Sequence, residues 1–198
     1  MLFNFFLFLS CFILLPLSTS KNLYNESLSK NLWTLCSISY CSPEYIEKSH
    51  EIPDFSNISL TEIKIFGSID DANLAFSGFN DNFNIIFVAF RGTNRNFKNW
   101  MQNLNVYQMS YGKCRNCKVH SGFNDAYQRV GSDRILEELK SLKKKYPSAK
   151  LAVTGHSLGA AMATIALPDI CKEFSSVDYF YTFGSPRVGD QNFAGIII

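Results

Sequence analysis

The sequence has almost no net charge: 19 Lys and Arg stand against 17 Asp and Glu, a formal balance of +2 over 198 residues. That excludes the electrostatic footprint of nucleic-acid binding, because phosphate recognition needs a concentrated excess of cations. The one basic run, Lys143-Lys144-Lys145, falls at the end of an expected amphipathic helix, where the macrodipole favours cations. Also missing is an apolar run of the roughly 18 residues that a membrane span requires. LFNFFLFLSCFILLPL, residues 2 to 17, falls short of it and is followed by Ser18-Thr19-Ser20, small residues suited to signal peptidase. Residues 1–20 are therefore expected to be a cleaved secretory signal, which places the protein outside the cell or in a secretory-lysosomal compartment. No repeat, linker or low-complexity segment divides residues 21–198, so they are expected to form one domain.

Cysteine is present in an odd number once the signal is removed. Of six, Cys11 leaves with it, and Cys36, Cys41, Cys114, Cys117 and Cys171 remain. One of these lacks a partner in a compartment that lets disulfides persist. Cys114-Arg115-Asn116-Cys117 with His120 supplies part of a zinc set, but no fourth ligand is near, and no metal or organic cofactor is expected. Sequons at Asn25 and Asn57 permit glycosylation.

What is present alternates between two periods. Leu28, Leu32, Leu35 and Ile38 lie near helical spacing within residues 28 to 41. Alternating runs follow, ending in NIIFVAF at residues 84 to 90, apolar enough for the interior of a sheet. From Phe123 to Tyr146 the apolar residues return to a helical period. A strand at residues 151–154, a helix from about 157 to 174 that Pro168 would kink or end, and a strand at 179–183 complete the chain. Strands alternating with helices predict an α/β fold with a mostly parallel central sheet.

Between the strand at 151–154 and its following helix stands Gly-His-Ser-Leu-Gly, centred on Ser157. A serine set between glycines at a strand-to-helix turn is lifted above the sheet, provided nothing at the flanking positions clashes. Gly155 and Gly159 meet that need. The helix N-terminus then lies under the hydroxyl, where its dipole and free amides favour an oxyanion. The plainer reading is a helix cap with glycines that allow close packing.

Four stretches in order, VAFRGT (88–93), CKVHSGF (117–123), VTGHSLGAA (153–161) and YTFGSPRVGD (181–190), resemble the class 3, fungal-type lipase family of α/β-hydrolases. The resemblance implies Ser157 as nucleophile and the backbone amides of Thr93 and Leu158 as oxyanion donors. It implies that the segment after Thr93, with Phe97, Trp100, Met101 and Leu104 on one face, is a lid, and that Cys114 and Cys117 form a local disulfide. The substrate class it implies is a lipid ester met at a lipid–water interface and cleaved through an acyl-enzyme.

The pattern departs from the family at one place. There the nucleophile is followed by an acid and then a histidine, yet His50, His120 and His156 all precede or adjoin Ser157 and none follows it. Asp169, Glu173, Asp178 and Asp190 follow, but none occupies the position expected of the acid. The reading is a lipase chain truncated at the C-terminus, its sheet incomplete and its activity low. The alternatives are a secreted lipid-binding remnant without catalysis or, among enzymes, a phospholipase-like or feruloyl-esterase-like hydrolase.

Overall fold

The computed structural model describes residues 24–49, 55, 58–68, 73–93 and 107–197. The expected signal segment, the lid residues Phe97, Trp100, Met101 and Leu104, and also His50 and Asn57 lie outside them. The described elements, in chain order, are α1 (Glu26–Ile38), α2 (Pro43–Glu47), β1 (Leu60–Ser68), β2 (Asn73–Asn80), β3 (Ile85–Phe90), β4 (Gln108–Ser110) and β5 (Lys118–His120). They continue with α3 (Ser121–Val130), α4 (Ser132–Lys145), β6 (Lys150–His156), α5 (Leu158–Phe174), β7 (Tyr179–Phe183) and α6 (Gln191–Ala194).

Five strands form one sheet in the order β1-β2-β3-β6-β7. β3 pairs with β6, and β6 with β7, in parallel, whereas β1–β2 and β2–β3 are antiparallel. The sheet is thus mixed by pairing, although β2 alone runs against the other four. Loop length accounts for this: residues 69–72 and 81–84 are too few for a crossover, so β1, β2 and β3 fold as consecutive hairpins. β3 reaches β6 only through α3 and α4, and that passage is long enough for a parallel return.

β3 is buried along its whole length because both faces of the sheet are covered. Ile86, Val88 and Phe90 join the cluster under α3, α4 and α5, with Phe123, Tyr127, Ile135, Leu139 and Ile165. Ile85, Phe87 and Ala89 face the other way into the cluster built on Leu28, Leu32, Leu35 and Ile38 of α1. Two-residue alternation therefore sends one strand into two cores, and α1 is held as the second layer.

The helical stretch from Phe123 to Tyr146 is broken in two. Gly131, at φ +94°, ends α3 and starts α4 in a left-handed conformation that a side chain would resist. Pro168, by contrast, neither ends nor shortens α5, which runs on to Phe174. The Tyr111 hydroxyl donates to the Ile165 carbonyl there, at 3.3 Å, and supplies one partner in a turn that proline disrupts. β4 and β5 make a small separate ribbon, closed near its turn by the Cys114–Cys117 disulfide.

Candidate active site

Local chain geometry carries most of this site. β6 ends at His156, and α5 begins at Leu158, leaving Ser157 alone to turn the chain. Its backbone takes φ 58° and ψ −120°, a region that side chains avoid and that persists only where the surroundings over-determine it. They do so here through two backbone bonds, from the Ser157 N–H to the Phe183 carbonyl at 2.9 Å and from the Ala161 N–H to the Ser157 carbonyl at 3.2 Å. The glycines permit the approach: a Cβ on Gly155 would lie 2.3 Å from the Gly159 carbonyl oxygen, and one on Gly159 would lie 2.0 Å from that of Phe90.

The same close packing brings the end of β3 against the turn. A side chain at Gly92 would come within 2.7 Å of the His156 carbonyl and 3.3 Å of Ser157 Cβ. Thr93, next in the chain, lines a cavity of about 760 Å³ together with Ser157, His156 and Gly184. Ser157 is only 6% exposed. Its Oγ and the Thr93 Oγ1 are both buried without a hydrogen-bond partner among the described residues. Leu158 is buried and opens α5, whose first-turn amides have no intrahelical acceptor. Of the three residues expected to act together, Thr93 and Ser157 line the cavity and Leu158 follows Ser157 at the start of α5.

The opposite wall belongs to α1 and the turn after it: Trp33, Cys36, Ser37 and Tyr40 line the cavity. Sequence reasoning took only the Leu28, Leu32, Leu35 and Ile38 stripe of this helix. The cavity face was visible beside it, since positions 33, 36, 37 and 40 also follow helical spacing. Cys36 bonds Thr154 Oγ1 at 3.3 Å, and burial pushes its thiol up to about 12, which disfavours the thiolate. The Tyr40 hydroxyl lies 2.7 Å from His156 Nδ1. Burial pushes the Tyr40 pKa up and the His156 pKa down, so both are held neutral.

His156 therefore belongs to the cavity but is bonded away from Ser157. His120 stacks on Phe123 at 4.2 Å and is absent from the cavity lining. The acids after Ser157 are engaged elsewhere. Asp169 takes Lys113 at 2.5 Å and the Tyr127 hydroxyl at 3.2 Å, and Glu173 pairs with Lys140 at 2.9 Å. Asp178 accepts from the Leu151 N–H at 2.8 Å, and Asp190 caps α6 by accepting from the Phe193 N–H at 2.9 Å. Of the described cysteines, 114 and 117 are bridged, while Cys36, Cys41 and Cys171 are free thiols.

Comparison with known proteins places this arrangement. A family model described as lipase (class 3) matches residues 87–197. The chain is 39% identical over 117 residues to a lipase of Rhizomucor miehei, covering 57% of this chain and 32% of that protein. It is 32% identical over 144 residues to secreted mono- and diacylglycerol lipase A of Penicillium cyclopium, covering 73% and 43%. Among solved structures, the Rhizomucor miehei lipase propeptide complex superposes with a TM-score of 0.71 at 29% identity, over 88% of this chain and 58% of that one. Lipase from Rhizopus microsporus var. chinensis gives 0.73 at 27%, over 88% and 63%. The matched region thus spans roughly a third to two fifths of these two relatives' own sequences.

Proposed function

Because the chain belongs to the class 3 lipase family, we propose that it carries the nucleophile and oxyanion pocket of a secreted serine ester hydrolase acting on acylglycerols. The observation behind this reading is Ser157, its backbone strained and its hydroxyl without a partner among the described residues, sharing a cavity with Thr93. In the proposed reaction, Ser157 Oγ attacks the ester carbonyl and forms a tetrahedral adduct. The amides of Thr93 and Leu158 receive the negative charge, each worth about 10²–10³ in rate. Collapse expels the alcohol and leaves an acyl-serine, which water cleaves to release the fatty acid. The segment holding Phe97, Trp100, Met101 and Leu104 is proposed as a lid whose apolar face meets the lipid surface. Secretion is supported by the apolar stretch at residues 2 to 17 and by relatives named as secreted enzymes.

No side chain among the described residues stands as a base for Ser157. No histidine lies between Leu158 and Ile198, and no described side chain bonds the Ser157 hydroxyl. The 198 residues should therefore turn over slowly, at about 10³–10⁴ over water from binding and oxyanion stabilisation. An activated alkyl phosphonate tests the assignment: it should modify the chain once, at Ser157, and modify Ser157→Ala not at all. Modification elsewhere, or equal ester turnover by Ser157→Ala, would remove the nucleophile from this site.

The lack of a partner for the Ser157 hydroxyl among the described residues also fits a second reading, a secreted acyl-chain binder without catalysis. It expects fatty acid to bind wild type and Ser157→Ala alike, with no phosphonate adduct on either.

A further inference from the structure

Tyr40 stands where the two halves of the site meet. A side chain on Gly92 would place its first carbon 2.2 Å from the Tyr40 hydroxyl, so the phenol oxygen lies against the strand end that carries Thr93. The Gly92 backbone and the Arg91 guanidinium both favour negative charge on that oxygen. Arg91 is 2% exposed and cannot give up its proton. The phenol has one hydrogen of its own. A phenol oxygen that accepts from the Gly92 backbone keeps its own hydrogen for another partner, and His156 Nδ1, at 2.7 Å, is within its reach.

An Nδ1 that accepts carries no proton, so the neutral imidazole keeps its proton on Nε2. The aromatic wall holds the ring in place, Trp33 standing edge-on to it with centroids 5.5 Å apart. Nε2 lies beside Gly184, where even a methyl group would come no closer than 3.5 Å. His156 and Gly184 both line the cavity of Ser157.

We propose that His156 is a specificity-determining residue: held by Tyr40 as the Nε2–H tautomer, it donates to an oxygen that the substrate carries next to the scissile ester. The favoured substrates are then esters of polyols, which keep a hydroxyl or second ester oxygen within a few bonds of the reacting carbonyl. Esters of simple alcohols have no such acceptor. The placement of the ester beside His156 rests on the hydrolase reading, but the tautomer and the cavity donor do not.

The test uses the whole chain and ligands that cannot be hydrolysed. Ring-nitrogen NMR above the ordinary histidine titration range should show His156 bare at Nδ1 and protonated at Nε2, a bias lost in Tyr40→Phe. Calorimetry should show an alkylglycerol ether binding about five- to tenfold tighter than an alkyl methyl ether of equal chain length, the worth of one neutral hydrogen bond. His156→Phe should bring that ratio to about one. His156→Gln, which keeps a donor, should restore part of the preference. An Nδ1–H tautomer in the wild-type protein, or a ratio unmoved by His156→Phe, overturns the proposal. Phosphonate labelling of Ser157 is scored separately, so each reading can fail without the other.

Discussion

If the turn at Ser157 is strained by its backbone, glycine should be the more stable residue there. At φ 58° and ψ −120° a side chain costs about 1–3 kcal/mol, whereas glycine enters the region freely. Glycine in turn loses about 0.5–1 kcal/mol relative to alanine through the freedom it gives the unfolded chain. The balance leaves Ser157→Gly more stable than Ser157→Ala by up to about 2.5 kcal/mol. In a chain of this size that is a melting difference of up to about 10 °C, on the scale of 2–4 °C per kcal/mol. Both variants remove the buried Oγ that has no partner among the described residues, and relief of that desolvated group should place Ser157→Ala about 1 kcal/mol above wild type. Thermal unfolding followed by far-ultraviolet circular dichroism measures all three proteins. Comparing the two variants with each other isolates the backbone term, because the hydroxyl is absent from both. If Ser157→Gly melts below Ser157→Ala, as glycine does at an ordinary position, the turn stores no strain and the account given of the elbow is wrong.

Two further expectations concern its surroundings. In Gly159→Ala the added methyl would lie 2.0 Å from the Phe90 carbonyl oxygen, and backbone cannot swing aside as a side chain can. α5 must separate from β3 by about 1 Å, at a cost of about 3 kcal/mol, and melting should fall by about 6–12 °C. Gly112→Ala, with nothing within 4 Å of the new methyl, is the control and should not move. Burial holds the His156 pKa below its ordinary 6.5, so the unfolded chain binds this proton first as pH falls. The contribution of His156 to stability is thus complete above about 6.5 and declines as pH drops through 6.5 toward the folded value. Urea unfolding at about pH 7.5, 6.5 and 5.5 should show a flatter profile for His156→Gln than for wild type, and identical slopes would contradict it.

How much of this could be read in advance depends on the reach of each interaction. The elbow was legible because its requirements are local: a strand, a turn thinned by Gly155 and Gly159, and a helix, all within residues 150 to 174. The two hairpins were written in the short loops at residues 69–72 and 81–84, even though alternation alone suggested a more parallel sheet. The break at Gly131 was hidden because apolar residues keep a helical period on both sides of it, and period says nothing of a single left-handed residue. The cavity wall on α1 was half visible as a second stripe at positions 33, 36, 37 and 40, but a stripe does not announce what it faces.

Residue order along the chain settled the local chemistry: a serine in a turn that only close backbone packing tolerates, and an amide-bearing Thr93 at a strand end. Folding settled the company these groups keep. Tyr40 and His156 are 116 residues apart in sequence, and Cys36 and Thr154 are 118 apart, so no spacing rule links them. They meet because alternation along β3 buries one set of side chains under α1, so that Trp33 of α1 and Tyr40 in the turn after it face the cavity that Ser157 lines at the end of β6. Short-range sterics shape a turn wherever its sequence occurs, whereas a hydrogen bond across the sheet exists only after two cores have closed on either side of it.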